Sequence, residues 1–391
     1  MERADRTVRA RGDWKKALPW IIWGGLFLVG LYGVFQRIDQ GHELAGYGSY
    51  VPWGLWIGLY FLGVGISGGV FVIGAGGFIL GWPGFSRPSE LRRAIVLSVA
   101  AIVPAFLGVA LDLGRPERLF SILWSPSFTS MMAFNAWMYN AFLLMAGLCW
   151  LFSFMAESAW LKPFLILGGF FSILFPSQSG VFFEAVRTND FWQSPILSVL
   201  FLASAIALGG AALLVIRFLP SSEAVPTGEA FDRDPALERL RIITLGGIAV
   251  YIVFEFAEFS IAVWNPAADS PNVAFLLFGE YWWVFWIVHI LVGVLLAMAF
   301  LATPAKKLWF LGALLAILGF GAARMGVLVP GQIAGQIPGL AEAFHDPRLV
   351  YSYHPTSMEY QVGCFMVALG VSLFYIGNRL NRMMAERFPK A

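Results

Sequence analysis

Ten long apolar runs constrain the fold of this sequence more than any other feature. Most exceed the roughly 20 residues that an α-helix needs to cross a bilayer. They cover approximately residues 18–35, 51–82, 91–113, 128–156, 160–185, 193–219, 238–263, 275–302, 306–330 and 356–384. None alternates polar and apolar residues as a barrel strand does, and backbone polar groups in lipid must be satisfied within each segment. The runs therefore predict an all-α integral membrane protein with ten transmembrane helices.

The few charged residues indicate an orientation. Asp, Glu, Lys and Arg make up only 13% of the chain, against roughly 25% in a soluble domain. The two tails and the loops after runs two, four, six and eight carry 20 of the 26 Lys and Arg residues, and the opposite ends carry five. Because short cytoplasmic loops are rich in these residues, we expect a multi-pass protein of the cytoplasmic (inner) membrane with both termini in the cytoplasm.

A polar segment divides the chain near its middle. It is rich in charge, Pro and Gly, and we predict that it is a cytoplasmic linker between two four-helix bundles, with the first and last helices packed outside as two peripheral helices. The predicted divisions are 1–50 (tail, first peripheral helix and outer loop), 51–219 (first bundle and the sixth-helix region), 220–239 (linker), 240–330 (second bundle helices) and 331–391 (outer loop, last helix and tail).

The second run combines unusual length with a stripe of small residues. Run 51–82 would extend about 48 Å as one helix, so it is expected to tilt or project. Gly54, Gly58, Gly65 and Gly69 recur at near-helical spacing. A smooth face of this kind favours close helix packing over a flat-ring ligand.

Asp112 ends the third run, where the partial negative charge of a helix C-terminus disfavours a lone carboxylate. One interpretation is that Arg115 or Arg118 pairs with it and closes the helix end. The other is that it acts with further polar residues expected at the same end of the bundle, namely His42, Tyr60, Asn135, Tyr139, Gln178 and Glu184.

The second half of the chain has its own ionisable residues at membrane depth. Glu255 and Glu258 share a helix face because they are three residues apart, His289 lies near the middle of the eighth run, and Arg324 lies in the ninth. Ionisable residues there are costly and usually functional. They form either a proton path or a buried network in which Arg324 is locked in an ion pair, and the two carboxylates with His289 favour the proton path.

The chain offers few ligands for bound redox groups. Of its four His residues, only His289 is expected at mid-membrane, so we expect no haem held by two histidines. Cys149 and Cys364 cannot supply the four thiolates of an iron–sulfur cluster, and no metal-ligand constellation stands out.

Four stretches, in order, resemble the NrfD-like (polysulfide reductase) membrane subunit family. They are VPWGLWIGLYFLGVGISGGVF, LDLGRP, MMAFNAWMYNAF and YHPTSMEY, and the resemblance covers about residues 40–375. It implies two four-helix bundles, no cofactor of the chain's own, and an exchangeable menaquinone or ubiquinone in the first bundle near the outer face. It also implies an iron–sulfur subunit with four ferredoxin-like clusters docked there, and a molybdopterin or multihaem cytochrome catalytic subunit beyond it.

The resemblance gives the polar residues expected roles. Quinone carbonyls need hydrogen-bond donors, and quinone chemistry moves protons. The expected quinone-binding residues are Asn135, Tyr139, Gln178, Tyr60 and Arg115, and the expected proton-exchanging residues are Asp112, Glu184 and His42. Some members have a His where this chain has Tyr60.

The expected function is therefore electron exchange between the quinone pool and an extracytoplasmic iron–sulfur subunit, coupled to proton translocation. A passive membrane anchor is one alternative. A secondary transporter is another, although the interruptions at Pro104 and Pro176 show no matched pair in the two halves.

Overall fold

The computed structural model describes most of the chain. The described residues are 2–125, 127–155, 158–186, 189–219, 234–264, 270–333, 339, 343 and 351–388, with side chains described from residue 17 onward except at 190 and 270. Within them there is no strand, and ten helices are long and apolar enough to cross a membrane. The predicted all-α membrane fold with ten transmembrane helices is confirmed.

The ten spanning helices are numbered α1 to α10 in chain order. They are Glu2–Gln40, Leu55–Ile79, Pro88–Asp112, Met131–Phe152, Leu161–Glu184, Ile196–Phe218, Pro235–Trp264, Val284–Ala302, Lys306–Ile333 and Ser357–Arg387. Residues Val284–Leu296 of α8 wind as a π-helix. We call the end of the bundle that holds the C-terminus of α3 and the N-terminus of α2 the outer end, after the predicted orientation.

Two predicted boundaries are wrong. Helix α2 has 25 residues, or about 38 Å at 1.5 Å per residue, because residues 51–54 form the loop that leads into it and the helix ends at Ile79. The eighth apolar run contains a separate short helix, Ser270–Leu277, and α8 itself begins only at Val284.

The predicted linker, 220–239, is only partly described. Residues 220–233 lie outside the described residues, and α7 begins at Pro235. Its first turn is capped by Asp234, whose Oδ1 accepts a hydrogen bond from the backbone N–H of Ala236 at 2.9 Å. The last five residues of the predicted linker are therefore helical.

Helix α2 joins the two halves of the molecule through glycine. A Cβ added at Gly209 of α6 would lie 2.1 Å from the carbonyl carbon of Gly69 on α2, so only glycine lets these two backbones touch. A Cβ at Gly58 would meet Met325 of α9. The glycine stripe of α2 therefore serves helix packing, as predicted.

A buried charge cluster, which we call the inner clamp, connects the halves at the opposite end. Arg217 of α6 lies 2.7 Å from Glu90 of α3 and 3.5 Å from Asp234, which precedes α7. All three side chains are buried, and Arg217 also donates to the carbonyl of Gly84 at 2.8 Å.

Helices α1 and α10 pack along each other, and α10 packs on α3. Trp23 of α1 donates its indole N–H towards the Ala368 carbonyl at 3.2 Å and Ser372 Oγ at 3.0 Å, both on α10. This pair brings the end of α1 and the start of α10 to the outer end beside Asp112.

Candidate functional site

Asp112 does not form either of the predicted ion pairs. It is the last residue of α3, and its Oδ1 is buried without a hydrogen-bond partner among the described residues. Arg115 and Arg118 are exposed on the following turn, and neither forms a salt bridge with Asp112. A buried carboxyl oxygen without a donor is unusual in a folded protein, so this atom is available to another group.

The helix end is closed by Arg37 of α1, which the sequence analysis missed. Its Nε donates to the carbonyl of Leu111 at 2.7 Å and its Nη2 to that of Leu113 at 2.9 Å. These bonds satisfy carbonyls that the end of a helix leaves open, and they place a cation at its negative end. The only sequence signal for this role was an arginine at the end of an apolar run.

His42 lies on the other side of the same guanidinium. Its Nε2 is 2.7 Å from Nη2 of Arg37. A guanidinium can only donate, so Nε2 is the acceptor and the imidazole is neutral. Burial, and secondly the charge of Arg37, lower the pKa of His42 below its ordinary value, and the ring is half-buried. The structure therefore brings Asp112 and His42 together through Arg37.

A second polar cluster lies between α2, α4 and α5. The hydroxyl oxygens of Tyr60 and Tyr139 are 2.6 Å apart, and that of Tyr139 is 3.3 Å from Ser179 Oγ. Asn135, one turn from Tyr139, is buried and its Oδ1 has no partner among the described residues. Gln178 is adjacent to Ser179, and its Nε2 lies 3.9 Å from the sulfur of Met131.

These groups fit a quinone or quinol head group. The unpartnered Oδ1 atoms of Asp112 and Asn135 can accept from quinol hydroxyls, and turning the Asn135 amide would offer a donor to a quinone carbonyl. The hydroxyls of Tyr60 and Tyr139 can donate or accept. Among the described residues, no hydrogen bond connects this cluster with the Asp112–Arg37–His42 group.

Two predicted site residues have other positions. Oε1 of Glu184, at the end of α5, accepts from the backbone N–H of Ser198 at 2.9 Å and so caps the first turn of α6. Arg115 is exposed. Glu184 therefore acts as a helix cap, and Arg115 does not join either cluster.

The second bundle holds a fully bonded carboxylate–histidine pair. His289 Nε2 is 2.9 and 3.0 Å from the two carboxyl oxygens of Glu255, and its Nδ1 is 3.0 Å from the carbonyl of Gly319. The hydroxyl of Tyr251 donates to Glu255 at 2.9 Å. Because Nδ1 faces a carbonyl, it carries a hydrogen, so the Nε2–carboxyl contact holds one further proton.

Glu258 and Arg324 lie apart from that pair. Ser194 donates to Glu258 at 2.5 Å, and a cavity of about 30 Å³ is lined by Glu255, Glu258 and His289, with room for about two water molecules. Arg324 donates to Ser204, and its guanidinium carbon lies 3.9 Å from the centre of a phenylalanine ring. The ion-pair lock expected for Arg324 is not present among the described residues.

Glu359 is another buried acid at the outer end. Its carboxylate accepts from the backbone N–H of Gly46 at 2.6 Å and from the hydroxyl of Tyr353. That hydroxyl accepts in turn from the N–H of Leu55 at 2.6 Å. Glu359 thus fastens the loops that surround the start of α2.

Comparison with known families gives a match over most of the chain. The model of the family described as "Polysulphide reductase, NrfD" matches residues 43–335. This range includes every predicted site residue except His42, and it excludes Arg37 and Glu359.

Three curated proteins are similar to the chain. A membrane-complex relative named as a selenate reductase subunit, from Mesobacillus selenatarsenatis, is 24% identical over 92% of this chain and 93% of its own length. The Hdr-like menaquinol oxidoreductase integral membrane subunit of Archaeoglobus fulgidus is 23% identical over 92% of this chain and 88% of its own length. Protein NrfD of Escherichia coli is 23% identical over 50% of this chain and 67% of its own length.

Proposed function

This chain is a member of the polysulphide reductase NrfD family, and on that premise we propose that it exchanges electrons between the membrane quinone pool and an iron–sulfur subunit at its outer end. The coarser statement, that it is a multi-pass membrane subunit of an oxidoreductase complex, agrees with two relatives named as reductase or oxidoreductase subunits. Menaquinone is the favoured quinone, because one of them is named a menaquinol oxidoreductase subunit.

The observation that carries the proposal is the pair of buried, unpartnered oxygen atoms on Asp112 and Asn135. Leaving such atoms unbonded costs about 1 to 3 kcal/mol each, a cost that a bound polar ligand would offset. A bound quinone supplies two-electron, two-proton chemistry. The chain would supply hydrogen bonds from Asn135, Tyr139, Tyr60 and Gln178.

Asp112 and His42 are the proposed proton-exchanging groups. Asp112 has a free acceptor atom in a buried place, and His42 is half-exposed at the outer end. A positioned acid or base of this kind contributes about 10²- to 10⁴-fold to a rate.

The decisive test is Asp112→Asn in the assembled complex. We expect quinol-linked electron transfer to fall by about a hundredfold, while the catalytic partner keeps its activity with artificial electron donors. Arg118→Gln, on the exposed turn that follows, is the matched control and keeps the quinol-linked rate. Unchanged quinol-linked activity in Asp112→Asn would contradict the proposal.

In the second bundle we propose a proton path through Glu255, Glu258, His289 and Arg324. Its support is the shared proton of the Glu255–His289 pair and the small cavity that leads to Glu258. Glu258→Gln should lower the number of protons moved per electron in oriented vesicles. An unchanged ratio would make Glu258 a packing residue.

The proposed partners are a four-cluster, ferredoxin-like iron–sulfur subunit and, beyond it, a molybdopterin or multihaem cytochrome subunit. The proposed location is the inner membrane with both termini in the cytoplasm. Co-purified subunits and quinone test the first statement, and the protease accessibility of terminal tags tests the second. A complex that binds its partners without quinone would indicate a passive anchor, and ion flux through the purified chain would indicate a transporter.

A further inference from the structure

Arg37 occupies a position between two proton-exchanging groups. It is buried, it holds the end of α3 through two backbone carbonyls, and its Nη2 is shared between Leu113 O and His42 Nε2. Asp112, the residue between those two carbonyls, has an Oδ1 without a donor. One guanidinium therefore serves a base that it already binds and lies beside an acid that no donor binds.

The bond between Arg37 and His42 exists only while His42 is neutral. A protonated imidazole has donors on both nitrogens and a positive charge, so it would repel a guanidinium whose nitrogen lies 2.7 Å away. Protonation of His42 therefore frees Nη2. The nearest unsatisfied acceptor for it is the carboxyl of Asp112, on which the charge of Arg37 already acts.

We infer that Arg37 is a positioning residue that alternates between His42 and Asp112, and that this alternation lets a proton pass from Asp112 through His42 to the outer aqueous side. The inference rests on the proposed role of Asp112 in quinone proton exchange and adds the route by which the proton leaves.

The transfer step balances. The O–H bond of the Asp112 carboxyl breaks, an N–H bond forms at His42 Nε2 directly or through one water, and the pair changes from neutral acid and neutral base to carboxylate and imidazolium. Arg37 moves its Nη2 from His42 to the new carboxylate. His42, which is half-exposed, then gives the proton to water, and Arg37 returns to its neutral imidazole.

Other ionisable groups around His42 do not compete for Arg37. Glu359 of α10 is already bonded by Gly46 and Tyr353. Tyr47, whose ring centre is 5.4 Å from that of His42, stays neutral, because burial raises its pKa far above the ordinary value. Asp39 and Glu43 are exposed.

The sign of the His42 pKa agrees with this role. Its pKa is lowered, so His42 is neutral and bound to Arg37 above the ordinary histidine pKa. It gains its proton, and loses that bond, as the pH falls through the lowered value. An imidazole with a lowered pKa releases an acquired proton readily to neutral water.

The variant that tests the inference is His42→Gln, since the glutamine carbonyl can still accept from Arg37 but cannot carry a proton. The carboxyl band of Asp112, identified as the infrared band lost in Asp112→Asn, is titrated in the purified chain without quinone. We expect this band to titrate in one step and at a higher pH in His42→Gln than in wild type, because Arg37 then never leaves the glutamine. His354→Gln, an exposed outer-end histidine, is the matched control and titrates as wild type.

A second variant separates Arg37 from a general electrostatic effect. In an Arg37→Gln background, His42→Gln should shift the Asp112 band no further, since the two act as one unit. If Arg37→Gln does not fold, the single His42→Gln titration decides. A His42→Gln band that titrates as in wild type overturns the inference.

Kinetics distinguish the failure of this inference from the failure of the proposed function. In the assembled complex, His42→Gln should reduce the quinol-linked rate at least about tenfold and remove its dependence on pH below neutrality. A normal rate in Asp112→Asn would refute the quinone role of Asp112. A slow Asp112→Asn with an unaffected His42→Gln would refute the Arg37 route alone.

Discussion

Asp112 and Glu255 are both acids at membrane depth, one in each half of the molecule, but their surroundings are opposite. Glu255 is bonded by Tyr251 and by His289, which is itself fixed by a backbone carbonyl. Asp112 has a buried oxygen with no donor, beside an arginine that is bonded to other groups. The first arrangement is complete without a ligand, and the second has an acceptor to spare.

This difference separates stability from reactivity. A buried acid with all its partners contributes to the folded state, and removing it leaves those partners unsatisfied. An acid with a free acceptor costs free energy in the folded state and is kept only where something else uses it. The free energy of unfolding should therefore respond strongly at Glu255 and weakly at Asp112.

The largest effect is expected for Glu255→Ala. It leaves His289 and Tyr251 buried without their partner, at a cost of about 3 to 5 kcal/mol, measurable by unfolding in detergent or lipid. The control is Glu238→Ala, which breaks only the partly exposed pair with Arg241. Equal stability of both variants would remove the contrast between the two halves.

Tyr251→Phe should have an intermediate effect. It deletes one hydrogen bond to the Glu255–His289 pair and keeps the ring, so a loss of about 1 to 2 kcal/mol is expected. Tyr375→Phe, whose side chain is half-exposed, is the reference. A loss as large as that of Glu255→Ala would mean that Tyr251, and not His289, chiefly stabilises the carboxylate.

Glu184→Ala should cost less, about 1 kcal/mol, as expected for the loss of a helix cap. Glu184 binds the start of α6 through Ser198 and belongs to neither polar cluster, so quinol-linked turnover of the folded variant should be retained. A collapse of turnover at normal stability would restore the proton-exchanging role that its sequence position suggested.

Asp112→Asn should change stability least, within about 0.5 kcal/mol of wild type. The substitution keeps the size of the side chain and removes no hydrogen bond to Oδ1, so its expected loss of quinol-linked activity would not come from unfolding. A strongly destabilised variant would make Asp112 a structural residue and would reverse the comparison.

The membrane spans could be predicted from the sequence because length and hydropathy alone determine them. The exception, the start of α8, shows the limit. Residues 275–302 are continuously apolar apart from Glu280, so hydropathy could not reveal that the helix Ser270–Leu277 ends before Val284.

The polar site was predictable by residue type but not by partner. Acids and amides within apolar runs are visible in the sequence, which is why Asp112, Asn135 and Glu255 could be identified. Their partners come from distant segments, since Arg37 meets Leu111 across 74 positions and His289 meets Glu255 across 34. Such pairing depends on how the helices pack, and a single sequence does not specify it.

The inner clamp has a consequence for assembly. Arg217 lies just before the segment 220–233, and Asp234 lies directly after it, so the salt bridges align the two halves without the covalent connection. Two polypeptides, one ending at Leu219 and one starting at Asp234, should therefore find each other in the bilayer when co-expressed and rebuild the protein from separate pieces.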